Sequence, residues 1–240
     1  MGNALSNKLS ISEQISKRMS ATLFLAFWAA LISVPLAIFL GLIAVRFQNR
    51  WPDKAISGVT LASISIPEFL IGYILMILLA IKWGVFPPNA GSFSWAAPLS
   101  DRLYQIAIPI LVLTLVVLAH MMRMTRAAIL NVMQSAYIET AELKGLTTFA
   151  VIRKHAFPNA IAPIVNVVMI NLAYLVVGVV VVETVFAYPG MGQYLVDAVV
   201  KRDVPVVLTS GVIFAAIYII LNMTADIVSI VTNPRLRHPK

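Results

Sequence analysis

The sequence predicts an all-α protein: a polytopic transmembrane helical bundle of about five spans, with a cytoplasmic helix-turn-helix coupling loop. Hydrophobic residues make up 60% of the 240 residues and charged residues 12%, whereas soluble domains average about 45–50% apolar and about 25% charged residues. This balance excludes a water-soluble enzyme and a disordered chain. Because the backbone must satisfy its own hydrogen bonds inside lipid, each span is expected to be a helix.

Five apolar stretches are long enough to cross the membrane, which takes roughly 20 helical residues. They are residues 21–45, 55–81, 106–122, 164–182 and 206–231. We therefore expect a transmembrane domain over residues 21–231, preceded by an extracytoplasmic or interfacial segment over 1–20 and followed by a cytoplasmic tail over 232–240.

The distribution of positive charge predicts the orientation, because short cytoplasmic loops are enriched in Lys and Arg. Residues 46–54, 123–163 and 232–240 carry eleven of the 18 Lys and Arg residues. These segments are expected inside, which makes the carboxyl terminus cytoplasmic and the amino terminus extracytoplasmic. The formal net charge of +8 is then explained by membrane orientation, and nucleic acid is not expected as a partner.

The polar segment 123–163 begins with a predicted helix. Apolar residues recur at helical spacing from Ile129 to Ala136, so one helix is expected to run through this stretch as far as Lys144. It is expected to stop at Gly145, because glycine readily takes the left-handed conformation that ends a helix.

The residues after Gly145 predict a second, short helix. Thr147 is suited to cap it, and the helix is expected over residues 149–157. Pro158 should limit its continuation, and Pro163 suits the first turn of the fourth span.

A turn that projects between two spans is a place where another protein can dock and move both spans. The small residues Thr140 and Ala141 would allow close approach, and charged residues around them could pair with a partner: Glu139, Glu142, Lys144, Arg153 and Lys154. An amphipathic helix can equally well fold on its own bundle. The residues alone leave both interpretations open.

The loop reads Glu139-Thr140-Ala141, three residues, Gly145, nine residues, and His155-Ala156-Phe157-Pro158. It resembles the Glu-Ala-Ala-x-x-x-Gly loop of importer-type ABC permease subunits, from which Thr140, His155 and Phe157 depart. Thr140 and His155, together with Tyr137 and Asn159, look like the oligopeptide, dipeptide and nickel branch of that family.

Further segments resemble the same branch in the same order along the chain. They are residues 123–126, 182–192, Asp226 with 233–237 and, more weakly, 65–67. The resemblance extends from about residue 21 to the end and implies the family's all-helical permease fold, forming half of a translocation pathway. It also implies a set of ATPase-coupling residues: Tyr137, Glu139, Thr140, Ala141, Gly145, His155, Asn159 and Pro163.

The resemblance implies several partners in a bacterial inner membrane. These are ABC ATPase subunits, a second permease subunit, an extracytoplasmic solute-binding protein and the lipid bilayer, with a peptide or related small solute as cargo. ATP hydrolysis is expected in the ATPase, since this sequence contains no Gly-x-x-x-x-Gly-Lys-Ser/Thr phosphate loop. Relatives have an additional span before the region that matches residue 21, so this chain is expected to lack the family's first span.

Two acidic residues are candidates for the solute pathway or its gate. Glu68 follows Pro67 in the second span, where it could line the path or make a contact between helices. Glu183 leads into Pro189 and Gly190 at the predicted outer mouth, where this stretch could gate the path or form a structural re-entrant turn.

No catalytic residue, metal site or cofactor is predicted. The histidines His120, His155 and His238 lack the spacing of metal ligands. Two alternative functions remain: an ion-coupled carrier in which Glu68 titrates, and a truncated fragment that does not transport.

Overall fold

The computed structural model describes residues 2–232, and the predicted tail beyond them, including His238 and residues 233–237, lies outside the described residues. The helices are α1 (Ile11–Arg46), α2 (Trp51–Ser65), α3 (Glu68–Leu75), α4 (Leu99–Gln105), α5 (Ala107–Met133), α6 (Ala136–Leu143), α7 (Thr148–Val151), α8 (Phe157–Gly178), α9 (Val180–Val185), α10 (Met191–Val200) and α11 (Val204–Thr232). A π-helical segment, Met76–Lys82, continues α3, and a second one, Ile152–Ala156, joins α7 to α8. The predicted all-α class is confirmed.

Four helical stretches have the length and composition to cross a membrane. They are Ile11–Arg46, Ala107–Met133, Thr148–Val185 and Val204–Val228. The bent pair formed by α2 and by α3 with its π segment makes a fifth if it is counted as one span. The prediction of about five spans is therefore confirmed, although the second span differs from the prediction.

The second predicted span, residues 55–81, is not one continuous helix. The chain leaves the helical path at Ile66 and Pro67 and bends sharply between α2 and α3. Proline has no N–H to donate and disfavours a helical residue before it, which explains the break at this position. Glu68 consequently begins a new helix instead of lying in the middle of an old one.

The third span and the predicted first loop helix also divide differently from the prediction. Helix α5 continues beyond residue 122 to Met133, and the chain then breaks at Ser135 instead of continuing to Lys144. Ser135 has extended backbone angles, and its hydroxyl group donates to the carbonyl of Val132. Such a bond competes with the helical backbone pattern, as serine often does at helix ends.

The second loop helix does not stop near Pro158. From Thr148 the chain passes through the π segment into α8, which contains both Pro158 and Pro163. In the π segment the Phe157 N–H donates to the carbonyl of Ile152, five residues earlier. This wider turn directly before Pro158 accommodates a residue that lacks an N–H.

The chain forms two compact units, which are described separately. The first unit comprises residues up to Leu31, Ile66–Val116 and Leu172–Ile220. One of its cores joins the start of the chain and of α1 to α10 and α11. Its buried residues are Ala4, Ile11, Ile15, Met191, Tyr194, Ala198, Val206 and Phe214.

The second unit comprises Ile32–Ser65, Val117–Asn171 and the described residues from Leu221 to Thr232. Its core joins the ends of α1 and α5 to the helices of the predicted coupling loop and to α8. The buried residues are Val45, Ile129, Ile138, Ala141, Val151, Ile152, Ala156, Ala160 and Ile164.

Candidate functional site

The turn between α6 and α7 in the second unit is closed by two specific backbone hydrogen bonds. The Gly145 N–H donates to the Glu142 carbonyl at 2.9 Å, and the Leu146 N–H donates to the Ala141 carbonyl at 3.4 Å. With Gly145 at a φ of +81°, this is the Schellman arrangement that ends many helices. The predicted helix stop at Gly145 is confirmed.

The predicted cap of the second helix is also confirmed. The Thr147 side-chain oxygen accepts a hydrogen bond from the Ala150 N–H at 3.4 Å, so Thr147 caps α7. Only Leu146 separates Gly145 from this cap, so the connection between the helices is short.

Helix α6 has one buried and one exposed face. Ile138 and Ala141 are buried in the core of the second unit, whereas Tyr137, Glu139 and Thr140 are exposed. The expectation that Ala141 lies at a docking surface is therefore wrong: its small side chain lets α6 pack closely on its own unit. The buried face packs on its own unit, and docking of another protein on the exposed face stays a prediction.

The tip of the loop is exposed without interruption from Glu142 to Phe149. It includes exposed apolar side chains, such as Leu143, which is 83% exposed, and Leu146, which is 39% exposed. Apolar side chains beside the charges of Glu142 and Lys144 are typical of a surface that another protein covers.

The remaining predicted coupling residues lie at the start of the helix that follows. His155 is half-buried in the π segment, and Asn159 and Pro163 are exposed on α8. The Asn159 side-chain amide donates to the His155 carbonyl at 2.7 Å. His155 and Asn159 therefore support the π turn, and Pro163 lies about one turn farther along α8.

An ion pair in the second unit was not anticipated from the sequence. Arg126 on α5 donates to both carboxylate oxygens of Asp53 on α2, at 2.8 and 2.7 Å. Asp53 also accepts the Asn49 N–H at 3.0 Å and the Ser57 hydroxyl at 3.3 Å. These paired hydrogen bonds hold α2 and α5 together, although the two residues lie 73 positions apart in the chain.

In the first unit, Glu183 organises the stretch that the sequence marked as a possible gate. Its side chain is fully buried. One carboxylate oxygen accepts the Thr22 hydroxyl at 2.6 Å, and the other accepts the N–H groups of Gly192 at 2.7 Å and Gln193 at 3.1 Å. The Thr22 oxygen in turn accepts the Met191 N–H at 2.8 Å.

These contacts cap α10 from outside its own segment. The first N–H groups of a helix have no partner within it and carry partial positive charge. In α10 those of Met191, Gly192 and Gln193 are satisfied by Thr22 and Glu183, two side chains from α1 and α9. A buried carboxylate is thus stabilised by neutral donors and by the end of a helix.

The two glycines around this cap leave room for the carboxylate. A Cβ atom on Gly190 would lie 2.0 Å from a Glu183 oxygen, and one on Gly192 would lie 2.6 Å from the Val180 Cα atom. Both distances are far below van der Waals contact. The Pro-Gly-Met-Gly motif therefore permits close approach of α9, the turn and α10.

Tyr188 ties the same turn to α1. Its hydroxyl group donates to the Ala21 carbonyl at 2.8 Å, and its ring packs edge-on against Phe93 with centroids 5.0 Å apart. Burial, and then the nearby charge of Glu183, raise the pKa of Tyr188 above its usual value, so it remains a hydrogen-bond donor. Pro189 borders an adjacent open cleft of about 420 Å³, which Lys17 and Trp95 also line.

Glu68 takes no part in the hydrogen bonds of Glu183. It is half-buried at the start of α3, its carboxyl group lies close to the side chain of Tyr174, and its buried Oε1 atom has no hydrogen-bond partner. Of these two acidic residues, Glu183 uses both of its carboxylate oxygens, whereas Glu68 retains one oxygen without a hydrogen-bond partner.

The sequence signal for the engaged residues was partial. Glu183 and its glycines were singled out, but Thr22 lies 161 residues away and sits in an apolar stretch with nothing to distinguish it. A usable signal is an acidic residue at the end of an apolar run with glycines shortly after it. If such a residue is buried, its carboxylate needs a hydrogen-bond donor from a hydroxyl or amide group.

Comparison with known proteins gives consistent matches. Residues 33–238 match the family described as "Binding-protein-dependent transport system inner membrane component". A putative peptide transport system permease protein of Brucella abortus (strain 2308) is 32% identical over 228 residues, covering 95% of this chain and 72% of the relative. The glutathione transport system permease protein of Escherichia coli (strain K12) is 31% identical over 237 residues, covering 99% of this chain and 74% of the relative.

The fold has a solved counterpart. A chain of the MetNI methionine ABC transporter in an inward-facing conformation aligns with a TM-score of 0.66 at 18% identity, covering 93% of this chain and 96% of that one. Residues 33–238 include the α6–α7 turn, the Asp53–Arg126 ion pair and Glu183. The chain belongs to the family of binding-protein-dependent transport system inner membrane components.

Proposed function

We propose that this protein is the permease subunit of an ATP-driven ABC importer and forms half of a translocation pathway for peptides or a related small solute. The observation that carries the proposal is the turn around Gly145, which is exposed at its tip and anchored in a core at its base. The names of the relatives, which are peptide and glutathione permeases, support this class of solute.

The protein is a multi-pass component of the inner membrane, as its family and its apolar helices indicate. The proposal puts residues 46–54, the loop 123–163 and the carboxyl terminus in the cytoplasm, because these segments carry most of the positive charge. It puts residues 1–20 and the turn after Glu183 on the other side.

The proposed assembly contains a second permease subunit, homologous or identical, and two ABC ATPase subunits in which ATP is hydrolysed. An extracytoplasmic solute-binding protein would deliver the solute, in keeping with the family's description as binding-protein-dependent. The exposed coupling residues Tyr137, Glu139 and Thr140 would meet the ATPase.

The core of the second unit suggests how movement of the ATPase could reach the spans. Ile138 and Val151 from the two loop helices pack in one cluster with Val45 at the end of α1, Ile129 on α5 and Ile164 on α8. Protein interiors are close-packed and transmit displacement instead of absorbing it. A push on the turn would therefore move the ends of three helices together, as alternating access requires.

The pathway candidates receive distinct proposed roles. Glu183 and Gly190 would hold the outer turn in shape, because the carboxylate has no free oxygen to offer a solute. Pro189, which borders the open cleft, would lie at the mouth. Glu68 would lie beside the path, since its Oε1 atom retains bonding capacity.

Replacing Gly145 by proline tests the proposal. Proline fixes φ near −65° and cannot form the +81° turn, so in reconstituted complexes Gly145→Pro should lower uptake at least about tenfold while ATP hydrolysis continues. Gly145→Asn is the matched control, because asparagine tolerates the left-handed conformation and a Cβ atom there meets no other atom within 4 Å.

Glu139→Lys provides an independent test on the exposed face of α6. Reversal of this charge should uncouple hydrolysis from uptake without changing insertion into the membrane. Normal uptake by both Gly145→Pro and Glu139→Lys in a strain that lacks the native permease would rule out the coupling role of the turn.

A further inference from the structure

Two guanidinium groups share one aromatic ring in the second unit. The Cζ atom of Arg46 lies 4.9 Å from the centroid of the Phe149 ring, and the Cζ atom of Arg153 lies 5.8 Å from it. Arg46 is the last residue of α1, and Arg153 lies in the π segment after α7. We call Arg46, Phe149 and Arg153 the arginine clasp.

No carboxylate among residues 2–232 neutralises the arginine clasp. The ion pairs in that part of the chain are Lys17–Glu13 and Arg126–Asp53. The two Cζ atoms of the clasp are at most about 11 Å apart, so two positive charges lie beside one ring. Both arginines are exposed, so an anion from outside the chain can reach them.

The position of Arg46 sets the depth of the clasp in the membrane. Arg46 directly follows the apolar stretch 21–45, and a long basic side chain at such a boundary extends toward the headgroups. Phe149 contacts the Arg46 guanidinium group and must lie at the same depth. The anion that is abundant at this depth is the phosphate of a phospholipid.

We propose that the arginine clasp binds the phosphate group of an anionic phospholipid such as phosphatidylglycerol. Guanidinium groups match phosphate with paired hydrogen bonds, and basic sites between membrane helices hold acidic headgroups. The bound lipid would fasten α7, and with it the turn around Gly145, to the end of α1. An acidic side chain of a protein partner is the other candidate, but such a partner would meet the exposed tip around Leu143 first.

Lipid retention by the full-length chain tests the proposal. The chain is placed in nanodiscs of phosphatidylcholine with a small fraction of phosphatidylglycerol, and the bound lipids are counted by native mass spectrometry. The double variant Arg46→Gln/Arg153→Gln should reduce the affinity for phosphatidylglycerol by at least about tenfold. The matched control is Arg50→Gln/Lys54→Gln, which removes the same charge from exposed residues nearby and should change the affinity less than about twofold.

A third variant keeps both positive charges. Phe149→Leu removes the ring that gathers the guanidinium groups and should weaken phosphatidylglycerol binding about threefold. Because leucine is apolar and the site is half-exposed, this variant should fold even if the double variant does not.

Four results would overturn the proposal. The first is an equal loss of phosphatidylglycerol affinity in the double variant and in its charge-matched control, and the second is equal retention of phosphatidylcholine. The third is displacement of the lipid by millimolar inorganic phosphate. The fourth is that the clasp is needed for co-purification with the ATPase but not for lipid binding. The binding assay uses this chain alone, so it can succeed or fail independently of transport.

Discussion

Two of the buried carboxylates, Asp53 in the second unit and Glu183 in the first, are stabilised in different ways. Asp53 in the second unit is paired with the Arg126 guanidinium group, and that arginine is still partly exposed. Glu183 in the first unit is fully buried and accepts bonds only from neutral groups, a hydroxyl and two backbone N–H groups at the start of a helix.

The difference shows what each site can tolerate. An ion pair joins two side chains, and if the partner side chain is lost at the surface, water can replace part of its stabilising effect. The Glu183 arrangement depends on backbone position, because its donors are N–H groups and its space exists only where glycine is present. The Asp53 site therefore depends on charge, whereas the Glu183 site depends on close packing.

The largest effect should come from filling the space around Glu183. Gly192→Ala would bring a Cβ atom to 2.6 Å from the Val180 backbone, so it should lower the free energy of unfolding by more than about 3 kcal/mol. Denaturant titration in detergent measures this loss. Gly211→Ala is the control, since a Cβ atom there meets no other atom within 4 Å, and an equal loss in both would contradict the packing argument.

The next largest effect should come from removing the cation beside Asp53. Arg126→Met leaves a buried carboxylate without its partner and should cost about 2–3 kcal/mol, less than for a fully buried pair because Arg126 is partly exposed. Arg123→Met, on the exposed side of α5, should cost little. The same denaturant titration at low and high salt tests whether charge is the cause.

Neutralising each carboxylate compares the two sites directly. Glu183→Gln preserves the shape and an oxygen for the backbone donors, so it should cost about 1–2 kcal/mol. Asp53→Asn removes the counter-charge of Arg126 and should cost more than Glu183→Gln. If the glutamine variant proves the less stable of the two, the charge of Glu183 matters more than the packing around it.

The smallest effect should come from the long hydrogen bond at the edge of the ion pair. Ser57 contacts Asp53 at 3.3 Å, so Ser57→Ala should change the free energy of unfolding by about 0.5 kcal/mol or less. Ser63→Ala, whose hydroxyl bonds only within its own helix, is the reference variant. A loss well above that of Ser63→Ala would mean that Ser57 is needed to orient the Asp53 carboxylate.

The features that could be predicted from the sequence are those with local causes. The apolar run of the first span, the stop at Gly145 and the cap at Thr147 each depend on a few neighbouring residues, and the structure confirms them. Helix ends and glycine turns are satisfied within one turn of chain, so their signal lies in the sequence around them.

The features that could not be predicted depend on distant partners or on competing local effects. Thr22 meets Glu183 across 161 residues, and Arg126 meets Asp53 across 73. The sequence places Pro67 within a predicted continuous span, but the helix is interrupted there, whereas Pro158 is predicted to limit a helix but lies within one. A π turn directly precedes Pro158, whereas an ordinary α-helix ends just before Pro67.

That π turn, Ile152–Ala156, has a consequence for the orientation of the turn around Gly145. A π turn holds one residue more than the α-helix it replaces, and each helical residue turns the chain by about 100°. Because the wider turn takes up the extra residue, deleting a single residue there should restore an α-helix and leave α7 and the turn before it in nearly the same orientation. Deleting a residue from the α-helical part of α8 should instead rotate them by about 100° around the axis of α8. The π turn is therefore the point at which the chain length of this loop can change without changing the side that the loop presents.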